Sequence, residues 1–149
     1  MTIDRMDRLR ELRTLRRSVA ERDAERARSV RTEFEGRVTA ARKAHERMVS
    51  EASTRRRTAV DALMAEPSGP LGIARMANVH AVIDGEVADA AAEEDAAREG
   101  LADAERDVEE AQDVLAAFIR KESAMDAALE RLEGDERRVE EDAEEDEGT

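Results

Sequence analysis

Only one place in this 149-residue chain combines several helix breakers: EPSGPLG, residues 66–72, near the middle. Proline lacks a backbone donor and pushes the residue before it out of the helical region, while glycine is the costliest helix residue after proline. Gly36, Gly85 and Gly100 stand alone with helical pattern on both sides. At about 1 kcal/mol each relative to Ala they read as tolerated. The chain is thereby held to two long segments joined by one short turn, where Ser68 or Gly69 can cap the second segment with Pro70 in its first turn.

Composition narrows what the segments are. Charged residues make up 42% and aromatics 1%, with two Phe and no Trp, Tyr or Cys. Strands need β-branched and aromatic side chains to cover a pleated face, so a sheet-containing domain is excluded and the choice lies between long helices and disorder. Periodicity decides it. With a at His80, Val87, Glu94, Leu101, Val108, Leu115, Glu122, Leu129 and Glu136, and d at Met76, Ile83, Ala90, Ala97, Ala104, Ala111, Phe118, Met125, Leu132 and Val139, 15 of 19 seam positions are apolar. A 40% hydrophobic composition predicts about eight. This is a coiled-coil stripe.

The first segment is less regular. Ala20, Ala24, Ala27, Phe34, Val38, Ala41, His45, Met48, Ala52, Ala59 and Ala62 follow three- and four-residue steps, with Arg31 and Arg55 interrupting. Nearer the N-terminus the stripe moves to Met6, Leu9, Leu12, Leu15 and Val19, and the long step from Val19 to Val30 predicts a stutter in the supercoil.

Two helices of similar length around a short Pro/Gly turn predict an all-α fold, a long antiparallel two-helix coiled-coil hairpin. The expected divisions are a first coiled-coil helix at 1–66, a turn at 67–72, a second coiled-coil helix at 73–135 and an acidic disordered tail at 136–149. Arms of about 60 residues at 1.5 Å rise reach on the order of 90 Å. A fold point near Ser68 or Gly69 places residues whose numbers add to about 138 opposite each other, give or take one turn. Phe34 then faces Ala104, Phe118 faces Ala20 and Met48 faces Ala90, so each large side chain meets a small one. The expected core is Phe34, Val38 and Met48 on the first arm and Ile83, Val87, Leu101, Ala104, Val108, Leu115, Phe118 and Leu129 on the second.

The net charge of −13 argues against general nucleic-acid or anionic-membrane binding, and no aromatic platform for bases is present. The average conceals two unlike halves. Residues 1–66 carry 17 Lys or Arg against 12 Asp or Glu, whereas residues 67–149 carry 8 against 26. A basic arm thus lies beside an acidic one. The final stretch, DERRVEEDAEEDEGT, is dominated by acid and should fray into solvent.

The residues offer little chemistry. No cysteine is present for disulfide, thiolate-zinc or nucleophilic roles, and there is no Gly-rich phosphate loop or HExxH motif. His45 and His80 both fall at a positions but far apart in the hairpin register, which suits polar seam residues that set register. Neither enzymatic activity nor a cofactor is expected. The absence of a membrane-spanning apolar run and of an apolar signal stretch leads to a cytoplasmic expectation. The basic clusters are Arg55, Arg56 and Arg57, and a denser face with Arg5, Arg8, Arg10, Arg13, Arg16 and Arg17. Both suit either pairing with acids of the other arm or docking on an acidic partner.

The basic opening RLRELRTLRR, the continuous Arg/Ala/Glu helices, the central EPSGPLG break and the Ala-rich second heptad arm with its charged end resemble the YscO/FliJ family of type III secretion and flagellar export proteins, plant-pathogen members included. The resemblance covers about residues 5 to 135. It implies a non-enzymatic central stalk inserted into a hexameric secretion ATPase, in contact with the cytoplasmic domain of the export gate and escorting substrate chaperones. It also implies a monomer or weakly self-associating hairpin, held at the cytoplasmic face of the inner membrane through the secretion apparatus. On that reading Arg5, Arg8, Arg13, Arg16 and Arg17 are the partner-binding residues. The alternative is a generic structural or chaperone-like coiled-coil interaction protein, with self-assembly through Leu63, Val79 and Val82 as one variant.

Overall fold

A computed structural model describes residues 3–66 and 69–148. The chain forms two long helices, α1 (Ile3–Ala65) and α2 (Gly69–Glu147), packed as an antiparallel all-α hairpin. Asp4 lies in the first turn of α1, where its charge favours the positive end of the helix dipole. Ser and Thr inside α1 are accommodated by donating back one turn: Ser18 to Thr14 O, Thr39 to Glu35 O and Thr58 to Thr54 O, at 3.0–3.1 Å. The last turn of α1 closes with Glu66 N–H donating to Ala62 O at 3.2 Å.

The turn is shorter than the expected 67–72. α2 begins at Gly69, whose φ of 64° lies in the left-handed region that glycine enters without steric cost. Pro70 follows in the first turn, where a missing N–H costs nothing, so Leu71 and Gly72 are already helical. The expected roles of Pro67 and Ser68 fall outside the described residues. The expected disordered tail at 136–149 is corrected as well, since α2 continues to Glu147. Glu, Arg and Ala are good helix formers, Glu133 precedes Arg137 by the favourable four-residue spacing, and no breaker other than Gly134 occurs before Gly148.

The described residues group into two compact units, one made from α1 up to Arg28 with α2 from Arg106, the other from residues Ser29–Glu105. In the second unit Ile83 is 1% exposed, with Ala52 and Ala104 also buried. Phe34, Val38, Met48, Val87 and Leu101 are half-buried, because one facing helix cannot cover a large side chain on all sides. In the first unit the buried residues are Met6, Ala20, Ala24, Val108 and Leu129, while Leu115 and Phe118 are half-buried. The closest packing is thus carried largely by alanine.

Two details depart from the expected register. The Phe34 ring sits against Gly100, one turn from Ala104, and a Cβ at position 100 would overlap the ring. Gly100 is therefore a socket and not a tolerated glycine, whereas Gly36 and Gly85 face open space. Near the N-terminus the seam runs through Met6, Leu9, Arg13, Arg17 and Ala20, all buried or half-buried. Leu12, Leu15 and Val19 are exposed, as is Val30. The step between the two valines lies off the seam, and long Arg stems cover the interface in place of the leucines.

Candidate interaction surfaces

The first surface is built on α1 between Arg5 and Arg22. The six arginines of its opening divide by helical face. Arg10 Nε lies 3.0 Å from Asp126 Oδ1. Arg17 donates through Nη1 to Glu122 Oε2 at 3.1 Å and through Nε to Glu21 Oε1 at 3.0 Å. The hydrogen bonds from Glu122 and then Glu21 hold its guanidinium above the ordinary arginine value, so Arg17 is a fixed cation of the seam. Thr14 donates to the other Glu122 oxygen at 3.5 Å. Arg13 is half-buried with its Nε shielded from solvent. Of the five expected partner-binding residues, Arg5, Arg8 and Arg16 remain exposed, while Arg13 and Arg17 turn toward α2.

Beside the exposed arginines lies an open groove of about 590 Å³ lined by Leu15, Val19, Ala20, Val114 and Phe118, with Arg16, Arg22 and Asp23 at its rim. Ala20 and Phe118 share this lining, as their expected pairing requires. Leu15 is 65% exposed. Lys121 places its ammonium over the Phe118 ring, 5.9 Å from its centre, while Phe118 also lines the groove. Sequence reasoning placed Leu12, Leu15 and Val19 in the seam. Counting back from Ala20 by three and four reaches Arg17 and Arg13 instead, a signal that apolar content alone overrides.

A second surface lies near the turn. Ala59, Ala62, Leu63, Gly72, Met76 and Val79 line a groove of about 280 Å³. Met64, Leu71 and Ile73 are exposed in the same stretch of sequence.

The remaining candidates are structural. Arg55 and Arg56 of the triple-arginine cluster pair with Glu86 and Asp84 on α2. His45 Nδ1 lies 2.7 Å from Glu94 Oε2, and Arg98 Nη2 donates to Glu94 Oε1 at 2.6 Å. Glu94 is only 7% exposed, so this carboxylate is taken out of water with both oxygens occupied. His80 is half-buried on α2. Among the described residues no group of three or more His, Cys, Asp or Glu is placed to hold a metal ion, and no helix is long and apolar enough to cross a membrane.

Comparison with protein-family models, with curated proteins and with solved structures finds no match for this chain.

Proposed function

We propose that this chain is a non-enzymatic stalk of a type III secretion ATPase complex, a YscO/FliJ-like protein that links the hexameric ATPase to the cytoplasmic domain of the export gate and escorts substrate chaperones. The observation that supports it best is the outward basic face of Arg5, Arg8 and Arg16 on a two-helix hairpin in which Arg10, Arg17, Arg55 and Arg56 instead pair with acids of α2. A hairpin with open grooves acts by binding and not by enclosing a substrate, since neither groove excludes water from a reacting group. Its place at the cytoplasmic face of the inner membrane follows from the partners alone. Stimulation of the cognate secretion ATPase by the purified protein at moderate salt tests this reading. Replacing Arg5, Arg8 and Arg16 together by Glu should abolish stimulation, while the same change at Arg55 and Arg56 should act through stability. A protein that neither binds nor stimulates the ATPase overturns the proposal.

One observation favours the chaperone-like alternative. Met64 at 76% exposed, with Leu71 and Ile73, presents apolar side chains where the two helices join. Suppression of aggregation of an unfolded client, lost on Met64→Ser with Ile73→Ser, would select this reading.

A further inference from the structure

We propose that the chain forms a two-fold dimer in which the acidic C-terminal end of α2 in each copy lies on the arginine-flanked apolar face of α1 in the other. The inference uses no part of the stalk reading. At about 100° per residue, Leu12, Leu15 and Val19 share one side of α1 with Arg5, Arg8 and Arg16. All six are exposed. The α2 seam lies on a different side, through Met6, Arg13, Arg17, Ala20 and Ala24, so the hairpin's own second helix leaves this face to solvent.

The occupant is identified by what the other end of the same unit lacks. The Arg10–Asp126 and Arg17–Glu122 pairs set a register in which the start of α1 faces α2 near residue 135. Beyond that point α2 continues as helix to Glu147, and every residue from Asp135 to Gly148 is exposed. This overhang of about three turns has Val139 67% exposed. Glu136, Glu140 and Glu144 follow each other at four-residue spacing, so like charges stack along one side and weaken the helix unless a cation row meets them. Arg5, Arg8 and Arg16 form such a row, and Leu12 with Leu15 provides an apolar strip for Val139.

Closure selects the symmetry. α2 leaves the hairpin at the end where α1 enters it, so laying an overhang on the α1 face of an antiparallel second copy brings that copy's overhang onto the first, and the contact is made twice about a two-fold axis. A parallel, staggered copy would make it once and leave an open, propagating chain. Each copy gives one overhang and receives one. Because most of the attraction is between exposed charges, the dimer should be strongly salt-dependent. It would also cover the arginines available to any other acidic partner.

The test is the mass of the purified full chain by sedimentation equilibrium. At ~50 mM salt the expected mass is roughly twice the 16.6 kDa of one chain, and raising salt to ~500 mM should weaken association at least about tenfold. Two variants carry the inference: a face reversal (Arg5→Glu, Arg8→Glu, Arg16→Glu) and an overhang reversal (Glu136→Lys, Glu140→Lys, Glu144→Lys). Each alone should be monomeric, with helix content retained by circular dichroism. Mixed one to one they should form a heterodimer, since an acidic overhang then meets a basic face and a basic overhang an acidic face. A wild-type monomer at low salt, self-association of either variant, or a mixture that stays monomeric overturns the proposal. A wild-type monomer would assign the face to a different acidic partner, and a salt-insensitive dimer would assign assembly to the apolar groove near the turn.

Discussion

The two compact units are made from the same pair of helices and use their seams differently. In residues Ser29–Glu105 the seam holds an aromatic ring in a glycine socket, a sealed Ile83 and a buried carboxylate held by His45 and Arg98. Each of these is satisfied at one register, because a slip by one turn strands Glu94 in a dry position and drives the Phe34 ring into a Cβ. In the other unit the α1 side of the seam is shared by Met6 and Leu9 with Arg13, Arg17 and small alanines against Val108 and Leu129 of α2, while Leu12, Leu15 and Val19 face outward. The difference teaches that register is held most strictly in one stretch. There polar and aromatic groups are satisfied at a single pairing, whereas the other stretch leaves an apolar, arginine-flanked face of α1 exposed.

Substitutions can break this comparison from either side. Ile83→Ala should cost about 3 kcal/mol, read by chemical denaturation, with hydrogen exchange accelerating first in residues 29–105. Gly100→Leu should cost about 2 kcal/mol by evicting the Phe34 ring, and Phe34→Ala in the same chain should recover part of that loss. A Gly100→Leu protein as stable as wild type would remove the socket. His45→Ala should cost about 1 kcal/mol by leaving one oxygen of the buried Glu94 short of a donor, and Glu94→Gln should partly rescue it.

Glycine offers a sign test. Gly36→Ala and Gly85→Ala add a methyl into open space on helical backbone and should each raise stability by about 0.5–1 kcal/mol, against the loss at Gly100. Smallest for stability is Leu15→Ser with Val19→Ser, expected within about 0.5 kcal/mol of wild type, although partner or self-association through the groove should fall. A large stability loss there would show that these residues belong to the seam after all.

The two long helices, the turn and the antiparallel pairing were legible because they rest on strong signals: one breaker cluster and a sustained heptad of Val, Leu, Ile and Ala on α2. His45 against Glu94 follows from the same arithmetic, one residue from the expected position. What escaped was decided by volume and by context. Gly100 reads as a weak helix residue until the Phe34 ring is seen to occupy its missing side chain. The leucines at 12 and 15 outrank Arg13 and Arg17 on any hydrophobicity scale, yet the facing carboxylate of Glu122 holds Arg17 in the seam and Arg13 lies half-buried one turn before it. Asp and Glu from 136 onward suggest disorder by composition, although each is compatible with helix and no proline interrupts them.

The antiparallel pairing also sets an order of assembly. Arg56 and Asp84 are 28 residues apart in sequence, whereas Arg17 and Glu122 are 105 apart. Closing the longer loop from an open chain costs roughly 1 kcal/mol more in chain entropy, so contacts near the turn should form first and zip toward the termini. During synthesis the whole of α1 emerges before its mate. Arg10 and Arg17 therefore wait through the synthesis of more than a hundred residues for Asp126 and Glu122, the carboxylates that pair with them.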